Sequence, residues 1–172
     1  MLVEFAEKFI GIVETGNNKG EQVELFQKAV DGKAQGEPWC CAFVQYCIKH
    51  IDAEFEKIYG GVNAPSQVFS SEHVMTVWNK SKPLETKTPE AGDLIIWQHM
   101  LGNKGTGKGH IGIISKIIDH QSIETVEGNT SSSQQVEREG DGVFKKTRRI
   151  AGATKLVSGP MMSVMGFLKI WG

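Results

Sequence analysis

The chain has 172 residues, enough for one domain with its own core, and no repeat or low-complexity segment divides residues 1–172 further. Hydrophobic residues make up 40% and charged residues 23%, which excludes a disordered chain, and a formal net charge of -1 gives no global field drawing it to nucleic acid or an anionic membrane. No apolar run approaches the ~20 residues of a membrane span. The cysteines Cys40, Cys41 and Cys47 are odd in number, fall in one short segment and lack zinc-ligand spacing, so neither a disulfide network nor a metal or cofactor is expected.

The apolar residues Val3, Phe5, Ala6, Ile10 and Val13 predict a first amphipathic helix over 2–13. The segment from Glu14 through Asn17 and Asn18 to Gly20 reads as a loop. Val23, Phe26, Ala29 and Val30 predict a second helix that stops at Asp31-Gly32. Pro38 suits a first helical position, and a third helix is expected from Trp39 to about His50. Residues 51–87 mix short helical patterns with turn signals at Gly60-Gly61 and 63–66. After Gly92-Asp93 the pattern changes to strands at 94–97, 111–118, 122–126, 143–149 and 164–170. Segments 102–109, 130–133 and 151–162 are expected loops, and the basic run Lys145–Arg149 a solvated face. Helices followed by strands imply an α+β fold, with N-terminal helices packed on a mainly antiparallel sheet.

A thiol in the first turn of a helix lies near unpaired backbone N–H groups and the positive end of the macrodipole, both of which favour a thiolate. Cys40, Phe43, Val44 and Cys47 share one helical stripe, Cys41 is turned away, and Cys47 is two turns in. Cys40 is therefore the candidate nucleophile and the other two are packing residues. His50, His73, His99 and His120 read as capping or surface residues. His110 opens a buried strand after a glycine-rich segment and is the candidate base. A third group should orient its ring. If strands 110–118 and 123 onward pair through a turn at 119–122, Gly112 faces Asn129 and Ile114 faces Glu127. Both Glu127 and Asn129 then share the face of His110, Asn129 one step nearer.

Taken in order, Glu14–Gly20, Gly36-Glu37-Pro38-Trp39-Cys40-Cys41-Ala42-Phe43-Val44, Gly92-Asp93-Leu94-Ile95, Gly109-His110-Ile111-Gly112-Ile113 and Val126-Glu127-Gly128-Asn129-Thr130 resemble the CHAP-type cysteine peptidases and amidases of the NlpC/P60 superfamily. The resemblance spans nearly the whole chain. It implies a papain-like fold and cleavage of amide bonds in bacterial peptidoglycan. Matched by position, Cys40 is the nucleophile, His110 the base, Glu127 the acidic residue that orients it and Asn129 the polar residue beside it. Glu14, Asn17, Asn18 and Trp39 are matched to substrate binding. The family commonly has a small residue where this chain has Cys41.

The implied reaction is acyl transfer to Cys40 and hydrolysis, by an endopeptidase or an N-acetylmuramoyl-L-alanine amidase. The alternatives are a deamidase or acyltransferase effector of the same fold acting on a protein, and an inactive wall-binding module. A monomer is expected, with peptidoglycan as partner, or an immunity protein if the chain is an effector. Residues 1–8 lack the basic region and apolar core of a signal peptide. Synthesis in the cytoplasm is therefore expected, followed by holin-type release or delivery by a phage or secretion machine.

Overall fold

The computed structural model describes residues 1–60, 65–132, 140–150 and 161–171, together with the backbone of 153–155. Four helices precede the main strands: α1 (Leu2–Glu7), α2 (Glu21–Asp31), α3 (Cys40–Tyr59) and α4 (Val74–Lys80). The strands are β1 (Glu85–Thr86), β2 (Leu94–Leu101), β3 (Lys104–Ile117), β4 (Ser122–Thr130), β5 (Gly142–Arg149), β6 (Ala153–Lys155) and β7 (Met161–Leu168). All pair antiparallel, in the order β1-β7-β2-β3-β4-β5 with β6 on β7. This is the expected α+β arrangement. Among the described residues no helix is long and apolar enough to cross a membrane.

Several boundaries differ from the sequence reading. The first helix ends at Glu7, because Gly11 takes φ 92° and residues 11–14 turn to bond the backbone of Asp141 and Val143. Trp39 flanks α3 instead of opening it, so Pro38 lies outside the helix. At the other end α3 continues past His50 to Tyr59, since Ile51 and Phe55 extend its apolar stripe. It stops where Gly60 adopts the left-handed conformation. His50 is thus mid-helix, stacked on Phe5 with ring centroids 3.8 Å apart. The expected loop at 102–109 is mostly strand: Leu101 pairs with Lys104, and Gly102-Asn103 alone turns the hairpin. Segments 63–66 and 130–133 fall partly outside the described residues, and so does 151–162, where the described residues correct the expected loop: 153–155 form β6 and 161–162 open β7, held by their mutual antiparallel pairing.

The sheet separates two apolar clusters. Leu94, Ile96, Ile111, Ile113, Val126 and Val143 face the helices and pack with Phe26, Trp39, Phe43 and Val44. Ile95, Trp97, Ile114, Ile123, Met162 and Phe167 form the second cluster on the opposite face. Burying each large side chain stabilises the fold by roughly 1.5–3 kcal/mol. Helix α3 reaches β4 closely because Gly128 has no side chain: a Cβ there would stand 2.7 Å from Phe43 Cβ. That approach places the first turn of α3 beside the middle of β3 and the end of β4.

Candidate active site

Cys40 is the first residue of α3 and 7% exposed, so its thiol lies at the N-terminal end of the helix, at the wall of a cleft. The cleft has a volume of about 310 Å³, and its lining includes Glu37, Cys40, Glu72, Lys108, His110 and Asn129. His110, near the middle of β3, is hydrogen-bonded to the Cys40 thiol and to Glu127. Its Nε2 lies 2.9 Å from Glu127 Oε2, which leaves Nδ1 as the ring atom for the thiol. Burial pushes the imidazole pKa down, but the hydrogen bonds to Cys40 and Glu127 and the Glu127 charge outweigh it and raise the pKa to about 9.

Register explains why Glu127 meets the ring. The β3–β4 hairpin pairs Ile113 with Val126 and Ile117 with Ile123, with a bulge between Ile114 and Lys116. The hairpin closes one residue earlier than expected, with Ile117 in place of Ile118 facing Ile123, and the bulge adds a second residue; the total shift of two keeps the faces and moves Glu127 one step closer to His110. Gly112 makes room for it, since a Cβ there would stand 2.9 Å from Glu127 Cγ. The expectation that Asn129 is the nearer partner is therefore corrected.

Asn129 does something else. It has φ 53°, and with its side-chain amide assigned the orientation that gives both ends complementary partners, the nitrogen donates to the Gly140 carbonyl at 2.6 Å and the oxygen accepts from the Trp39 backbone N–H at 3.2 Å. It fixes the residue just before the nucleophile.

Glu127 is fully buried yet ionised. Burial alone would raise its pKa, but the Arg148 guanidinium and the bond to His110 hold it well below the usual carboxylate range. Arg148 Nε donates to Oε1 at 2.7 Å and Nη2 to Oε2 at 2.6 Å, and the Thr125 hydroxyl donates to Oε1 at 2.6 Å. The guanidinium carbon also stands 5.7 Å from the Trp97 ring centroid, and that ring flanks His110. The sequence reading passed over Arg148 by treating 145–149 as a solvated face. In β5, Lys146 and Arg148 are buried while Lys145, Thr147 and Arg149 are exposed. The period-2 alternation of a strand was the available clue.

Cys41 and Cys47 are fully buried, and burial pushes both thiols well above their ordinary range, with Cys40 and Glu72 adding to the effect at Cys41. His99, expected at the surface, is 5% exposed and lines the cleft; exposed His73 lines it too.

Glu14, Asn17, Asn18 and Trp39 are not in the cleft lining among the described residues. The Trp39 ring is buried against Phe26, and its Nε1 donates to Glu14 Oε2 at 3.1 Å. Gln27, also buried, donates through Nε2 to the carbonyls of Asn18 at 3.2 Å and Glu37 at 2.8 Å. Asn17 is exposed. These contacts tie the 14–20 loop to the segment leading into α3.

No curated protein and no solved structure matches the chain. The family model described as CHAP domain matches residues 32–129, a span that holds Cys40, His110, Glu127 and Asn129 and leaves Glu14 and Arg148 outside. Amidase or peptidase activity, commonly on peptidoglycan, accompanies this domain. With more than half of its 172 residues covered by that match, the chain belongs to the CHAP domain family.

Proposed function

We propose that the protein is a cysteine-dependent peptidoglycan hydrolase that cleaves an amide bond, as an endopeptidase or an N-acetylmuramoyl-L-alanine amidase. The observation that carries this reading is the chain of contacts from the Cys40 thiol through His110 to Glu127, at the wall of an open cleft. The Cys40 sulfur attacks the substrate carbonyl and forms a C–S bond, and the backbone N–H of Cys40 in the first helical turn stabilises the oxyanion. The C–N bond then breaks as protonated His110 gives its proton to the leaving amine. Water attacks the thioester, His110 takes the proton, and the carboxylate product leaves with the thiol restored. Throughout, Glu127 fixes the ring and the tautomer.

The chain is made in the cytoplasm in this reading and reaches the wall by holin-type release or by a phage or secretion machine. Purified peptidoglycan incubated with the protein, followed by mass analysis of the soluble fragments, tests the activity. New amine termini that appear with the wild type and not with Cys40→Ala support it. Equal release by the two proteins, or none by either, overturns it.

A further inference from the structure

The β2–β3 hairpin is irregular at one place, two residues from the base. Met100 pairs with Gly105 and Gln98 with Gly109, so Thr106, Gly107 and Lys108 stand opposite His99 alone. An insertion of this kind bends its strand and re-aims the side chains it carries. Specific residues hold it. Gly107 takes φ 74°, a left-handed conformation that favours glycine. Thr106 Oγ1 donates to the His99 carbonyl at 2.9 Å and accepts from the Lys108 N–H at 3.3 Å. On either side there is no room for a side chain: a Cβ at Gly105 would overlap the Gln98 amide, and one at Gly109 the Trp97 carbonyl oxygen. Lys108 is therefore the one long side chain between 105 and 109, and the bulge sets it at the wall of the cleft that holds Cys40 and His110.

Charge makes that position distinctive. Among the described residues Lys108 is the only lysine or arginine in the cleft lining, and it is exposed, with no ion-pair partner there. The segments leading into α3 and α4 bring the other sign, as Glu37 and Glu72. Burial first, and the Glu37 charge second, push the Glu72 carboxyl up, so the two carboxylates are close enough to act on one another. An anionic group entering the cleft is attracted at Lys108 and repelled at Glu37 and Glu72, which fixes where it lies relative to the nucleophile.

We infer that Lys108 is a specificity-determining residue, which pairs with a free carboxylate of the substrate near the scissile amide and selects the anionic form of that group over its carboxamide. This deepens the hydrolase reading above and rests on it. A wall peptide offers the same chemistry from three sources: the α-carboxyl of a γ-linked glutamate, the side-chain carboxyl of a diamino acid, and the C-terminus. Conversion to the carboxamide removes the charge at nearly constant size, so it isolates what Lys108 reads.

The test uses a synthetic wall peptide that the wild type cleaves, and analogues with each free carboxylate converted to the carboxamide one at a time. Amidation at one position should lower kcat/KM roughly three- to tenfold, the scale of an ion pair still partly open to water, and that position identifies the source. Lys108 is exposed, so its substitution leaves the fold intact. Lys108→Met should lower kcat/KM for the free acid by the same factor and leave the amidated peptide unaffected. Lys108→Glu should reverse the preference, with the amidated peptide cleaved faster. Equal cleavage of acid and amide forms by the wild type at every position, an equal loss on both forms in Lys108→Met, or an unreversed preference in Lys108→Glu overturns this role and leaves the hydrolase reading intact. If no wall peptide is cleaved, the hydrolase reading falls, and this inference falls with it.

Discussion

Arg148 grips both oxygens of Glu127 at 2.7 and 2.6 Å, in a site where each side chain is at least nine-tenths buried. With Thr125 and His110 as the remaining partners, the carboxylate is an orienting group held in its ionised form. It cannot serve as the base. Replacing Glu127 with Gln should lower kcat on the order of 10²-fold or more, because the ring loses its fixed tautomer. Replacing Arg148 with Met should also lower kcat, and should cost roughly 3–5 kcal/mol of stability by stranding a buried charge. If Arg148 acts on catalysis through Glu127 alone, the double variant loses no more kcat than Glu127→Gln. Additive losses in kcat would assign Arg148 a separate role.

The raised pKa of His110 fixes the sign of the pH response. A folded pKa of about 9 against 6.5 unfolded means that protonation of His110 adds stability fully present below pH 6.5 and lost as pH rises through 9. The same imidazolium is the proton donor to the leaving amine. Activity should therefore hold through neutral pH and fall near pH 9, and the alkaline limb of kcat/KM should move toward neutral in Glu127→Gln, which removes one cause of the raised pKa. An alkaline limb unmoved by that substitution would break the link between ring and carboxylate.

Three thiols in one short segment make labelling informative. Cys40 borders the cleft, whereas Cys41 and Cys47 have 0% exposure and thiols pushed up by burial. Iodoacetamide should modify one cysteine in the native protein and all three after denaturation, with peptide mapping placing the native label on Cys40. Cys41→Ala should retain activity at a stability cost of about 1 kcal/mol. Native labelling at Cys41, or loss of turnover in Cys41→Ala, would reassign the nucleophile.

Much of this geometry was legible from local pattern, and the rest depended on tertiary contacts. The apolar stripe through Phe43 and Val44 located α3, and Gly109-His110 located the strand with the ring. The stop of α3 was misjudged because His50 resembles a helix end by charge, while Phe5 holds it by stacking. The choice between Glu127 and Asn129 turned on a turn one residue longer than expected and on a bulge between Ile114 and Lys116, neither of which has a local sequence mark. Arg148 is joined to Glu127 across 21 positions, so only the alternation of β5 could have hinted that one end of a basic run faces inward.

Asn129 offers the sharpest separation of backbone strain from catalytic geometry. Its φ of 53° is a conformation that glycine adopts without cost, whereas its amide bonds to Trp39 N–H and the Gly140 carbonyl need the side chain. Asn129→Gly should keep the melting temperature within a few degrees, because relief at φ offsets part of the lost bonding. Its kcat should nevertheless fall roughly tenfold, since the residue preceding Cys40 is no longer pinned and misplacement of a nucleophile is costly. Asn129→Ala should lose both kcat and stability, the latter by about 1–3 kcal/mol, because it adds strain to the loss of the amide. Thermal unfolding and steady-state kinetics on the two variants distinguish the roles: a glycine variant with full activity would make Asn129 a backbone device, with no part in holding the nucleophile.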